Sequence, residues 1–329
     1  MVISKKFVYS TAFLGVPKNS NFAILEEELP PIQEGEFLLE TKYISIDLFV
    51  RYKPLSKLNI GDTIWALQIA KVIESKSSNY PVGRYIRGYY PCSTYNISDG
   101  TSYSNIPTSL IDEKYPLHKY LAVFGYSFAT AYYGLTQHCQ PKENEVIVIT
   151  SAAGGVGHLV GQIGKILGCK VIGLTSKSEK CLWLKGLGFD HVLNYVTDDV
   201  SKELAKLAPK GIDCFFDNVG GELSYKIMEN MRKLGRIAIC GSTSCHNSDF
   251  VPKLPSIHPM ISTKLLSITG FSTPMELEKL EHSTKTAMKW FEDGKLRTRE
   301  TIIDGFENYP AALTSVYNGE NLGKTIIKI

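Results

Sequence analysis

The chain has 329 residues, too many for one small core and enough for two domains. Hydrophobic residues make up 43% and charged residues 21%, the balance of an ordinary globular protein, and no run of apolar residues is long enough to span a bilayer. A net charge of only +3, with Lys and Arg scattered along the chain, argues against a nucleic-acid protein, whose basic residues cluster.

The opening MVISKKFVYS has no long apolar core and no small-residue cleavage site, and the closing KTIIKI carries no lipidation or peroxisomal signal. A cytoplasmic protein is expected. Seven cysteines, an odd and scattered set, read as buried reduced thiols rather than disulfides. Residues 1 to about 115 read as short strands separated by turn residues, with FLLETKYISI (Phe37 to Ile46) and TIWALQIAKVIES as strands. From Tyr120 to His138 the pattern becomes helical, with small residues at Ala122, Gly125, Ala129, Ala131 and Gly134.

After Pro141 the character changes. EVIVIT, KVIGLT (Lys170 to Thr175), HVLNY, DCFFD, GRIAICG and LLSITGF are short apolar runs that suit buried parallel strands. SEKCLWLKGLG (Ser178 to Gly188) reads as a helix opened by a Ser cap and closed by Gly. Strands alternating with helices at this spacing predict an α/β fold with a doubly wound parallel sheet of the Rossmann type. From about Glu300 the text returns to strands, so the Rossmann domain, 119–299, is expected as an insertion into a β-rich domain formed by 1–118 and 300–329.

SAAGGVG (Ser151 to Gly157) follows a predicted strand and opens a helix. It fits G-x-G-x-x-G with Ala152 in the first glycine position, then Gly154 and Gly157. Gly154 lets the backbone approach a pyrophosphate, Gly157 lets helix and strand pack closely, and the helix start favours negative charge. A tight turn with no ligand is the competing reading. At the end of the second strand an NAD enzyme would carry Asp or Glu for the ribose 2′-hydroxyl. This chain has Thr175-Ser176-Lys177-Ser178 instead, and Lys177 and Lys180 suit a 2′-phosphate, hence NADPH. Plain surface lysines remain the alternative, more so for Lys177. No Cys or His pair has zinc spacing in the first domain, so no metal is expected. G-x-S-x-G is absent, and hydrolase chemistry has no support.

The glycine turn, DNVGGE (Asp217 to Glu222), GRIAICG and NLGKTIIK (Asn321 to Lys328) together resemble the prostaglandin reductase branch of the zinc-free medium-chain dehydrogenases/reductases. GFDHVLNY, GFENYPAAL and GDTIWALQIAKVIESK resemble it as well. The resemblance covers almost the whole chain. It implies a GroES-like β-rich domain around the Rossmann domain, and hydride transfer from NADPH to the β-carbon of a small hydrophobic enone or enal. By the resemblance, Lys180 and Tyr195 match positions that hold the 2′-phosphate. Ala152, Ala153, Gly154, Gly155, Asn218, Cys240, Gly241, Ser242, Phe271, Ser272, Thr273 and Asn321 match pyrophosphate and nicotinamide contacts, and Thr130 a position near the nicotinamide end. It also implies a homodimer paired through the edges of the Rossmann sheets.

Three departures stand out. His246, in GSTSCHN, occupies the place of a family tyrosine that stabilises or protonates the enolate, so His246 is the candidate acid. A merely polar loop residue is the alternative. The family's Asp-Pro-Tyr-Met-Arg is Asp47-Leu48-Phe49-Val50-Arg51, and its Met-Pro-Gly before Thr130 is Tyr126-Ser127-Phe128. Phe49 and Tyr126 are therefore expected to line the substrate cleft and alter its preference. An allylic alcohol dehydrogenase, a quinone reductase, and a non-catalytic NADPH-binding structural or RNA-binding protein are the alternative functions.

Overall fold

The computed structural model describes residues 1–51, 59–101, 108–246, 254–273 and 276–329; the side chains of Phe49, Arg51 and His246 lie outside the described set. The chain divides into two compact units. One comprises Met1–Gly125, Glu300–Glu320 and Lys324–Ile329, and the other Tyr126–Arg299 and Asn321–Gly323.

The first unit is antiparallel and β-rich. Phe37–Ser45 pairs with Trp65–Ser75, and Trp65–Ser75 with Tyr85–Pro91. The last strand, Lys324–Lys328, pairs antiparallel with Phe37–Ser45 and parallel with Glu300–Asp304. A separate hairpin joins Val2–Tyr9 to Phe22–Leu29. Its core is aromatic: the Phe7 ring lies 4.6 Å from Phe306 and 5.5 Å from Tyr309, and all three are buried. Gln68 occupies the centre of the strand Trp65–Ser75. Its amide accepts from Thr41 Oγ1 at 2.9 Å and donates to the carbonyls of Tyr90 and Pro91, which satisfies a fully buried polar group.

The second unit is the doubly wound Rossmann sheet. Its strands are β1 (Val146–Ile149), β2 (Lys170–Thr175), β3 (His191–Asn194), β4 (Ile212–Asp217), β5 (Met231–Ile239) and β6 (Ser267–Gly270). They are all parallel, in the order β3-β2-β1-β4-β5-β6. The order reverses between β1 and β4, which is where an open sheet of this kind takes its ligand, outside the carboxyl ends of the strands. Every residue of β4 is buried, as expected for a strand covered on both faces. Val148, Ile172, Phe215 and Ile237, one from each of four neighbouring strands, pack in one core cluster with Leu204 and Ile227 from the covering helices.

Two local expectations are corrected. The helical stretch from Tyr120 to His138 is three pieces: a 3₁₀ turn at Leu117–Leu121, an α-helix at Tyr126–Tyr133 and a widened π turn at Gly134–Cys139. The break has a steric basis, because a Cβ at Gly125 would lie 2.5 Å from the Tyr120 carbonyl oxygen. Ser178 is also not a cap. Lys177 takes that extended position (φ −133°, ψ 142°) with no side-chain cap bond, so Ser178 falls inside the first turn of the helix Ser178–Gly186.

One ring sits between the helix Gly157–Ile166 and β2. Phe189 is buried, and its ring fills the space left by two glycines: a Cβ at Gly161 would lie 1.9 Å from its Cζ and one at Gly173 2.8 Å from its Cδ1. Held from both sides, the ring has no room to yield. Gly161→Ala is therefore expected to cost about 1–3 kcal/mol through overpacking. Phe189→Leu in the same chain should recover part of that loss. Urea unfolding followed by fluorescence measures both, and a Gly161→Ala variant as stable as the parent would contradict this packing.

Candidate active site

The phosphate-binding turn is built from β1 outward. Apolar β-branched residues carry β1 into the sheet, and the chain then turns sharply at Ser151, which has φ 48°. Ala152 and Ala153 are buried, whereas Gly154 and Gly155 are partly exposed. The Ala152 N–H donates to the Leu174 carbonyl at 3.0 Å, and the Gly154 N–H to that of Ser151 at 2.9 Å. Gly157 begins the helix, and a Cβ there would meet the Ser151 oxygen at 2.4 Å, so no other residue fits without displacing the turn. The helix start has no side-chain cap and no acid in its first turn. Its positive dipole end is thus uncompensated by the protein's own side chains and suits an anion.

Asn321–Gly323 lies against this turn. The Gly323 N–H donates to the Ala153 carbonyl at 2.9 Å, and Asn321 Nδ2 donates to the Gly323 carbonyl at 2.7 Å. Gly323 has φ 67°, and a Cβ there would lie 1.7 Å from the Arg299 carbonyl oxygen.

Asp217, at the end of β4, organises the neighbouring loops. Its carboxylate is buried and accepts from four donors. Oδ1 takes the Thr150 hydroxyl at 2.8 Å and the N–H groups of Val219 (2.9 Å) and Gly220 (3.1 Å); Oδ2 takes the Ser224 hydroxyl at 2.5 Å. Thr150 in turn accepts from the Asn218 N–H, and Asn218 Nδ2 donates to the Thr150 carbonyl at 2.7 Å. The Asp217 carbonyl accepts from the N–H groups of Cys240 and Gly241. The ends of β1, β4 and β5 are thereby tied together, and Ala152–Gly155, Asn218 and Cys240–Ser242 are brought to one end of the sheet. In the sequence Asp217 was read only as the end of the strand DCFFD and the first letter of DNVGGE. The missed signal is an acid ending the apolar run DCFFD, because a buried carboxylate must find donors.

Cys240 offers no nucleophile. Burial, with the nearby Asp217 charge, pushes its thiol up to about 12, so it stays protonated at neutral pH. All seven cysteines are free; Cys92, Cys139, Cys169 and Cys214 are buried, and Cys245 is exposed.

Lys180 lies in the first turn of the helix after β2 and is 6% exposed. Among the described residues no hydrogen-bond acceptor or carboxylate partners its ammonium. Burial, with Lys177 adding repulsion, lowers its pKa to about 8. Tyr195 is exposed just beyond β3, and its N–H donates to the Thr175 carbonyl at the end of β2. A buried cation that has no partner among the described residues has the chemistry to receive a phosphate monoester. These residues fit a dinucleotide carrying a 2′-phosphate.

At the β6 edge of the sheet, just beyond the same carboxyl end, Phe271 stands edge-on to Phe216 and lies 5.0 Å from the His138 ring. Thr130 Oγ1 lies 2.5 Å from Thr273 Oγ1 and also bonds the Tyr126 carbonyl. Tyr126 is half-buried and packs on Ala129, Tyr133 and Leu280, while Ser272 is exposed. His246 closes a short helical turn, Thr243–His246, rather than a loop; that turn is held by the Ser244 N–H and hydroxyl on the Val219 carbonyl. The side chains of His246 and Phe49 lie outside the described residues. Among the described residues, no three His, Cys, Asp or Glu side chains converge as metal ligands.

Two families match the chain: one described as N-terminal domain of oxidoreductase over residues 5–106, the other as zinc-binding dehydrogenase over 155–293. Prostaglandin reductase 1 of Bos taurus is 40% identical over 331 residues, covering 100% of each chain. The NADPH-dependent curcumin reductase of Escherichia coli is 33% identical over 99% of this chain and 97% of its own. The crystal structure of CurA in complex with NADPH from Vibrio vulnificus superposes with a TM-score of 0.91 at 30% identity, covering 98% of each chain.

The Asp217 knot carries a direct expectation. Asp217→Asn keeps the shape but turns one acceptor toward a donor it can no longer receive. It should lose about 2 kcal/mol or more of stability, and Asp217→Ala should lose more because four donors are orphaned. Urea denaturation measures this, and an unchanged midpoint for both variants would remove Asp217 from its organising role.

Proposed function

Because the chain belongs to the prostaglandin reductase branch of the zinc-free medium-chain dehydrogenases/reductases, we propose that it reduces the C=C bond of α,β-unsaturated ketones and aldehydes with NADPH. In a chain similar end to end to reductases of this kind, the single observation that carries the reading is the buried Lys180 ammonium, which has no partner among the described residues.

NADPH supplies a hydride when bound. The turn Ala152–Gly157 and its open helix start hold the pyrophosphate. Lys180 and Tyr195 hold the 2′-phosphate. Asn218, Cys240–Ser242, Phe271–Thr273, Thr130 and Asn321 hold the nicotinamide half. Phe49 and Tyr126, where the sequence departs from the family, are read as the residues that set substrate preference, toward small hydrophobic enones and enals. Hydride arrives at the β-carbon, the C=C electron pair moves toward the carbonyl, and the resulting enolate takes a proton at the α-carbon. His246 is the assigned acid; an imidazolium donates more strongly than the phenol of the family tyrosine.

The protein is read as a cytoplasmic homodimer. Free thiols suit a reducing compartment. Strand β6 is an edge of its sheet with Leu265 and Ile268 exposed, a feature that pairing with a second copy would cover.

The function is tested by mixing the protein with NADPH and, separately, a short enal, a short enone, 15-oxo-prostaglandin and a quinone, each repeated with NADH. Loss of reduced-nicotinamide absorbance and recovery of the saturated carbonyl are expected with NADPH and the enal or enone. Tight NADPH binding without turnover of any of them would overturn the reading.

Two variants test the residue roles. Lys180→Ala should weaken NADPH by roughly tenfold to a hundredfold, the worth of a charge-assisted contact, and leave NADH within about threefold. Equal losses would sink the assignment. The free ammonium is charged below about pH 8 and loses its proton above it; a bound phosphate dianion favours the charged form. NADPH affinity should therefore fall as pH rises through about 8, whereas NADH affinity stays flat. His246→Phe should lower kcat and abolish the fall in rate that accompanies imidazolium deprotonation. Full kcat across the pH range would remove His246 from the chemistry.

A further inference from the structure

We infer that His158 is a positioning residue for the cofactor pyrophosphate: its imidazole fixes the Gly154–Gly155 peptide of the phosphate-binding turn so that the Gly155 N–H faces the ligand. The inference rests on the NADPH reading and deepens it.

His158 lies on the first turn of the helix Gly157–Ile166 and is 2% exposed. Its Nδ1 is 2.7 Å from the Gly154 carbonyl oxygen. A carbonyl only accepts, so Nδ1 carries a proton and donates it. The backbone offers Gly154 much less. The His158 N–H, which would close the first helical bond to that oxygen, lies 3.4 Å away, and the next N–H, of Leu159, bonds Val156 rather than Gly155. An N–H···O bond is ordinarily about 2.7–3.2 Å long, so the side-chain bond, not the backbone one, holds the carbonyl.

That hold has a direction. The peptide is trans and planar, with its N–H opposite its C=O. Drawing the Gly154 oxygen toward the helix therefore turns the Gly155 N–H the other way, out of the helix start. Gly155 is partly exposed, and among the described residues no acceptor takes its N–H. A donor so aimed meets the pyrophosphate that the helix start attracts. The imidazole is itself held from behind by Trp183, with ring centroids 5.3 Å apart and planes at 38°. Trp183 stands one turn after Lys180 on the helix Ser178–Gly186. His158 is thus bonded to the turn assigned to the pyrophosphate and packed on the helix assigned to the 2′-phosphate.

Two variants separate the hydrogen bond from the packing. His158→Leu keeps the bulk and loses the donor. His158→Asn loses bulk but places an amide Nδ2 close to the position of Nδ1. Titration calorimetry compares 2′,5′-ADP, which carries a 5′-phosphate for the turn, with 2′-AMP, which does not. His158→Leu should weaken 2′,5′-ADP by roughly threefold to tenfold, the worth of one hydrogen bond, and leave 2′-AMP unchanged. His158→Asn should stay closer to the parent than His158→Leu. Packing alone predicts the reverse order, since asparagine leaves the larger cavity. His158→Val, smaller and also without a donor, takes the place of the leucine variant should that chain fail to fold. A leucine variant that binds 2′,5′-ADP like the parent, loses both ligands equally, or outbinds the asparagine variant overturns the inference. Failure of the parent to bind 2′,5′-ADP would instead defeat the underlying NADPH reading, and the inference with it.

Discussion

The Asp217 carboxylate is buried where three strands end, and the loops around it have their conformations because it must be satisfied there. A desolvated carboxylate without donors costs several kcal/mol. Four donors converge on it, two from hydroxyls and two from the backbone of the following loop. Its own carbonyl then fixes the start of the loop after β5. The glycines at 220 and 221, both at positive φ, allow the chain to wrap this closely. One electrostatic constraint thus sets the backbone of Asn218 and Cys240–Gly241, residues that otherwise share no element.

The sheet order turns that local knot into a ligand site. Because β1 and β4 are neighbours but not consecutive, their following loops diverge and leave the crevice that a dinucleotide occupies in this fold. The two halves of the sheet offer different chemistry. Beyond β2 and β3 lie a buried ammonium and an exposed phenol; beyond β6 lie an aromatic ring and a pair of coupled hydroxyls. Such polarity fits a cofactor with a charged phosphate at one end and a neutral amide at the other.

Much of this was legible in the sequence, for physical reasons that differ by residue. KVIGLT is a β-branched run between a helix-ending Gly-Cys and a polar cluster, and the strand occupies Lys170–Thr175. The absence of an acid after it pointed to Lys180, but its burial depends on tertiary packing that no local pattern encodes. The stretch 120–138 misled because small residues permit 3₁₀, α and π turns equally. Its break depends on the approach of Gly125 to the Tyr120 carbonyl, and its Gly134 faces Phe271, more than a hundred residues away. Asp217 was hidden within a recognised motif whose neighbours drew the attention. Thr130 and Thr273 were each named by the resemblance, but the contact between their hydroxyls joins residues 143 apart, which no local pattern encodes.

The central claim is that hydride passes from NADPH to the β-carbon of an enone, and isotopic labelling follows it most directly. A short enone is incubated with the protein and NADPH deuterated at the nicotinamide C4, and the product is read by mass spectrometry and NMR. One deuterium at the β-carbon of a saturated ketone is the predicted result. Deuterium on the carbinol carbon of an allylic alcohol, or an unlabelled and unreduced enone despite bound cofactor, would contradict it.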